Sequence, residues 1–214
     1  MQTQTGSRQE QILTMLLNTS EGLSIDEMAF SLNISRNAVK QHLVVLEKQQ
    51  LVKEGALNST GGRPARSYSL TEKGINSFPK QYAWFCNLLL DDLAAEIGKE
   101  ALETMMWNMG VKLAQSFAPQ FANKNVEQKL EILVGLMQSL GYHAEIEQIE
   151  GLPCIKAVNC VYHDLAKKRP ELCLFDQALI STLLESPINQ LSCMAKQDCQ
   201  CRFRLTGSAI IGNS

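Results

Sequence analysis

The residues of this chain with the most chemistry in them are seven cysteines: Cys86, Cys154, Cys160, Cys173, Cys193, Cys199 and Cys201. Six of them fall between positions 154 and 201. Twelve residues separate Cys160 from Cys173, nineteen separate Cys173 from Cys193, and seven separate Cys193 from Cys201. Cys199 sits inside the last interval, and Cys154 lies six positions ahead of Cys160. Thiolates are soft ligands. Four or more of them in a reducing compartment suit zinc or an iron–sulfur cluster better than structural disulfides. The spacing lacks the short Cys-x2-Cys pairs of a zinc ribbon, which tilts the reading modestly away from a purely structural zinc site. A thiol redox switch is a further use of the same side chains. For a single cysteine such as Cys86, plain burial in a core is the default. For six within so short a stretch it is a weak account. His163, after Tyr162 at the start of a short helix, reads as a cap or surface residue rather than a ligand.

The reducing compartment is itself an expectation. Met1 to Gly6 is polar, and no apolar run approaches the ~20 residues that a membrane span requires. We therefore expect a cytoplasmic protein with no membrane partner. No Cys–His–Asp arrangement with a helix-start cysteine, phosphate-binding glycine loop or dinucleotide fingerprint stands in the sequence. The expectation is that the chain is not an enzyme, and a cysteine-dependent enzyme is the remote alternative.

The elements that must position these cysteines follow from periodicity. Val126 to Leu140 is amphipathic and ends at Gly141. Tyr142 to Ile149 alternates as a strand does, and Cys154 to Val158 forms a second strand after a Gly-Leu-Pro turn. His163 to Lys168 is a short helix and Leu174 to Glu185 a longer one. Cys201 to Leu205 is a third strand. The order helix, strand, strand, helix, helix, strand makes an α+β unit. Ahead of it, residues 81–118 are helical, with Gly98 as a break. Trp84, Phe85, Leu88, Leu89, Leu93 and Ile97 recur at helical spacing in the first stretch. The second carries Leu102, Met105, Met106, Met109, Leu113 and Phe117. Pro119 to Asn125 reads as a loop. Apolar stripes of this length favour pairing with a second copy, hence a homodimer.

The N-terminal third has a different pattern. Ser7 to Leu17 is a first helix. Ser24 and Glu27 stand at capping-box spacing before Ile25, Met28, Ala29 and Leu32, and Asn33 ends that helix. Ser35 caps the next, whose outward side carries Arg36, Asn37, Lys40 and Gln41. These side chains suit guanine, adenine and phosphate. Gly61-Gly62-Arg63-Pro64 is a turn between short alternating runs, with Arg63 and Arg66 at or near its tip. Two helices followed by a basic hairpin make a winged helix that sits on duplex DNA. Charge agrees weakly: residues 1–80 hold nine Lys/Arg against seven Asp/Glu, and the remainder eleven against fifteen.

Residues 8–76 resemble the winged-helix domain of ArsR/MarR/DeoR-like bacterial regulators, above all in the Gly61-to-Gly74 run. The segments Asn159-Cys160-Val161-Tyr162-His163-Asp164, Pro170-Glu171-Leu172-Cys173 and Cys201-Arg202-Phe203-Arg204 resemble the C-terminal half of SufR-type repressors. Those are winged-helix proteins that carry an iron–sulfur cluster. The resemblance implies that Cys160, Cys173 and Cys201 are ligands of a [4Fe–4S] or [2Fe–2S] cluster. It implies Cys193 as the fourth, with Cys199 its rival.

The expected architecture is mainly α with an α+β part. A winged helix-turn-helix DNA-binding domain spans residues 1–78, with Ser35, Arg36, Asn37, Lys40, Gln41, Arg63 and Arg66 toward DNA. Linking and dimerisation helices occupy 79–122, a cysteine-rich sensor domain 123–206 and a flexible tail 207–214. The expected function is a homodimeric regulator, a repressor of operator DNA, whose grip is controlled by the cluster. Zinc or a thiol switch in its place is the alternative.

Overall fold

A computed structural model of the chain describes residues 7–58 and 65–206. It is mostly helical, with two small antiparallel sheets, and divides into two compact units, residues 1–80 and 81–214. The Gly61–Pro64 turn, Arg63 and the expected tail at 207–214 lie outside the described residues.

In the first unit, α1 (Arg8–Leu17), β1 (Leu23–Ser24), α2 (Ile25–Leu32), α3 (Arg36–Lys48), β2 (Val52–Asn58), β3 (Ala65–Leu70) and α4 (Glu72–Asn76) follow one another. The local chemistry places the helix ends. Ser7 and Ser24 each close a capping box, with Glu10 and Glu27, and each box satisfies two amide donors that a helix start leaves unpaired. The helix α2 stops at Asn33, whose φ of 51° is the left-handed conformation that asparagine tolerates. Ser35 accepts the Ala38 N–H and starts α3. Ile12, Leu16, Met28, Val39, Leu43 and Leu46 are almost wholly buried together, so the core of this unit joins α1, α2 and α3. The sheet order β1-β3-β2 places the hairpin beside them.

In the second unit, α5 (Tyr82–Ile97) and α6 (Lys99–Phe121) meet at Gly98, where φ is 80°. They are followed by α7 (Val126–Ser139), β4 (Ala144–Ile149), β5 (Leu152–Ala157), α8 (His163–Ala166), α9 (Cys173–Leu184), β6 (Ile188–Ser192) and β7 (Cys201–Leu205). The strands form a sheet in the order β4-β5-β7-β6. Ile155, Ala157, Cys201, Phe203 and Leu205 point from one face of that sheet into a core shared with α6, α7 and α9.

Three features depart from the sequence expectations. The strand β6 is additional: Ile188–Ser192 is short and its pattern reads weakly alone, but antiparallel pairing with β7 holds it. The helix α6 runs through Pro119 to Phe121 instead of ending before it. A proline so near the C-terminus removes one amide bond and leaves only a short final turn to tolerate it. Finally, α6 is part of the core of the second unit rather than a separate linking segment. It packs on α9 so closely that a Cβ on Gly110 would lie 2.3 Å from the Phe175 carbonyl oxygen.

Candidate metal centre and nucleic-acid interface

The cysteines are sorted by the sheet. Cys201 is the first residue of β7 and faces the core with Phe203. Cys193 follows β6 and is buried. The six-residue loop from Cys193 to Asp198 is closed on itself: the Cys193 N–H donates to Asp198 Oδ2 at 2.7 Å, and the Asp198 N–H donates back to the Cys193 carbonyl. This loop presents the Met194 N–H to Cys201 Sγ at 3.4 Å. An amide aimed at sulfur favours the thiolate, the form that binds a metal.

Cys173 opens α9, and its Sγ stands 3.6 Å from Cys193 Sγ. Cys160, half-buried in the loop after β5, lies within electrostatic reach of both Cys193 and Cys201. Thus Cys160, Cys173, Cys193 and Cys201 stand around one region of the second unit. Cys154 does not join them. It pairs in register with Arg204 and Glu147, on the opposite sheet face from Cys201. Cys199 is exposed, as is His163, and Cys86 lies on α5.

Burial pushes the thiols up. Cys173 rises well above the ordinary thiol range, through burial first and then its closeness to Cys193. Cys201 is pushed up to about 12 by burial, against the Met194 N–H that opposes the shift. Burial also raises Cys160. Metal-free thiols of this kind are protonated at neutral pH, and a bound cation displaces their protons.

Sequence reasoning missed the group that stands beside them. Asp176, three residues into α9 after Cys173, is half-buried, and the desolvation of its carboxylate pushes it up to about 6. The Tyr142 hydroxyl donates to its Oδ1 at 2.7 Å. Tyr162 packs edge-on against both Tyr142 and Phe175. A lone acid in the apolar run Cys-Leu-Phe-Asp-Gln-Ala-Leu-Ile was the available signal.

The sulfurs do not converge on a single point. Among the described residues no three His, Cys, Asp or Glu side chains are arranged to hold one ion. A single tetrahedral zinc would draw every pair of sulfurs to about 3.8 Å, given metal–sulfur bonds of roughly 2.3 Å. Cys173 and Cys193 stand at about that separation. A polynuclear cluster spreads its thiolates further apart. The all-sulfur donor set is of the kind that holds an iron–sulfur cluster or zinc.

On the first unit, Arg36, Asn37, Lys40 and Gln41 are all exposed on α3, which Ser35 caps. Asn37, Lys40 and Gln41 have no side-chain partner among the described residues. The Arg36 Nε donates to Asp26 Oδ1 at 2.8 Å. Arg66 is held across the hairpin by both carboxylate oxygens of Glu54, at 2.7 and 2.9 Å. Asp26 and Glu54 are charged partners that periodicity alone did not indicate.

Comparison with known proteins agrees with this division. Residues 8–61 match a helix-turn-helix domain family, and residues 85–206 match the family described as methanogen output domain 1. No curated protein matches the chain. Among solved structures, a zinc-responsive MarR family member, ZitR of Lactococcus lactis, is 26% identical over 65% of this chain and 79% of its own, with a TM-score of 0.28. A cysteine-to-serine variant of that protein is 24% identical over 45% of this chain and 77% of its own, also at 0.28. Among the described residues no helix is long and apolar enough to cross a membrane. With the second match spanning more than half of its residues, the chain belongs to the methanogen output domain 1 family and carries a helix-turn-helix domain ahead of that output domain.

Proposed function

We propose that this chain is a DNA-binding transcriptional regulator, a repressor, whose output domain holds an iron–sulfur cluster on Cys160, Cys173, Cys193 and Cys201. The observation that carries the reading is the approach of Cys173 Sγ to Cys193 Sγ, 3.6 Å apart though twenty positions separate them in the chain. Two thiols from different elements, with Cys201 on the adjoining strand and Cys160 beside them, are a donor set for soft metal chemistry. When bound, the cluster supplies sensitivity to iron, oxygen or redox state. The residues of the chain position it: the Cys193–Asp198 loop aims an amide at Cys201, and α9 carries Cys173 on the helix that packs against α6.

The DNA reading rests on α3, with Ser35 as its cap, Arg36, Asn37, Lys40 and Gln41 exposed, and the hairpin arginines Arg63 and Arg66 alongside in sequence. A homodimer reading rests on α5, where Tyr82, Trp84, Phe85, Leu88 and Leu89 are all exposed. So many large apolar side chains on one helix are a partner surface rather than a solvated one. Two copies would give the pair of reading helices that a palindromic operator needs.

The decisive test is purification without oxygen. We expect a coloured protein with iron and acid-labile sulfide, and operator affinity that changes when the cluster is removed at constant salt. Zinc without visible absorption would favour the single-ion alternative. Colourless, metal-free protein with unchanged operator binding would remove the sensor.

A further inference from the structure

The recognition face of α3 is not the one its charges suggest. Asn37, Gln41, Val44 and Lys48 recur at i, i+4, i+7 and i+11, so they share one stripe on the side opposite the buried Val39, Leu43 and Leu46. Arg36 lies about 100° around the helix from Asn37, outside that stripe, and is tied to Asp26. In its middle stands Val44, 63% exposed. A β-branched apolar residue there gains nothing from the free protein and is slightly unfavourable in a helix. Its neighbours Asn37 and Gln41 are amides with no side-chain partner among the described residues.

In the major groove an amide suits the N6/N7 edge of adenine, while the C5-methyl of thymine is the apolar group that a base pair offers. We propose that this stripe reads A·T pairs, with Gln41 on adenine and Val44 packed on a thymine methyl. Gln41 and Val44 are three positions apart on one helix face, about 5–6 Å between Cβ atoms, which spans one or two adjacent base pairs. Lys48 then lies one turn further on, suited to a phosphate. The proposal rests on the DNA-binding reading and adds the specificity to it.

The test uses the 214-residue chain. A preferred duplex is first enriched from a random library, and each thymine in it is then replaced by uracil, which lacks only the methyl. At one position per half-site we expect uracil to weaken wild-type binding about fourfold, the worth of one buried methyl. Val44→Ala should bind the thymine duplex about fourfold more weakly and show no further loss on uracil. Uracil tolerated everywhere, or penalised equally in both proteins, would overturn the assignment while leaving DNA binding intact. Failure to enrich any duplex would remove the DNA reading along with it.

Discussion

Cys173 Sγ lies 3.6 Å from Cys193 Sγ, the first residue of α9 against the residue that follows β6. The resemblance names Cys193 as the fourth ligand and Cys199 as its rival, and the two differ in their surroundings. Cys193 is buried against Cys173, whereas Cys199, six residues on, is exposed. We expect Cys193→Ser to lose the iron and sulfide of anaerobically purified protein, and Cys199→Ser to keep both. Each variant should retain the melting transition of the winged unit. Iron retained in the Cys193 variant and lost in the Cys199 variant would reverse the assignment.

Gly110 predicts a structural link to the same site. A Cβ there would meet the Phe175 carbonyl at 2.3 Å and the Ala178 Cβ at 2.8 Å, both on α9. The backbone cannot yield as a flexible side chain would, so Gly110→Ala must push α9 off α6. A cost of about 3 kcal/mol is expected from overpacking of this severity. Because α9 carries Cys173, metal content should fall with it. Denaturant unfolding and metal analysis of one preparation would check both, and a variant of unchanged stability would show that the helices can separate freely.

These two cases show what was legible beforehand. The winged unit could be read because each of its signals is local: Ser24 with Glu27, Asn33 as a left-handed stop, and Ser35 ahead of α3. The α+β class of the output domain followed from alternation and turns. By contrast, β6 exists through its pairing with β7, and Gly110 matters through a contact with α9 more than sixty residues away. Neither leaves a periodic trace. The same holds for Cys154: its exclusion depends on which sheet face it occupies, a matter of register that cysteine spacing does not encode.

At the DNA face, Arg66 is held by Glu54 in the free protein. Both side chains are substantially exposed, so the pair itself is worth little to stability. It nonetheless competes with phosphate for the guanidinium. Glu54→Gln should tighten duplex binding about two- to fivefold at low salt and steepen the salt dependence by roughly one counterion. In an Arg66→Ala background the same change should have a much smaller effect. A salt titration of the four proteins tests this, and identical slopes would exclude Arg66 as a phosphate contact.

For the dimer, Leu88 is the diagnostic position. It is 47% exposed and sits on α5 among Trp84, Phe85 and Leu89. A charge there would be costly to bury against a second apolar face but harmless in solvent. Leu88→Glu should therefore convert a dimer into a monomer in sedimentation and lower affinity for a two-half-site duplex much more than for a single half-site. Wild-type protein that sediments as a monomer at micromolar concentration would dismiss the dimer.

Asp176 makes a prediction about pH. Its folded pKa of about 6 lies above the ordinary 3.8, chiefly through burial, with the Tyr142 hydrogen bond opposing the rise. Below the ordinary value both folded and unfolded chains carry the proton, and the group has no effect. As pH rises from 4 to 6 the unfolded chain ionises first, so stability falls, and above 6 the full penalty persists. A rise from 3.8 to about 6 corresponds to about 3 kcal/mol at most. Asp176→Asn keeps an oxygen for the Tyr142 hydroxyl and removes the charge. The metal-free variant should be more stable than wild type at pH 7, by up to that amount, and close to it near pH 3. Urea unfolding of both proteins at the two pH values measures the difference. A variant less stable than wild type at pH 7 would mean that the Tyr142 hydrogen bond to a charged carboxylate outweighs the cost of burying it.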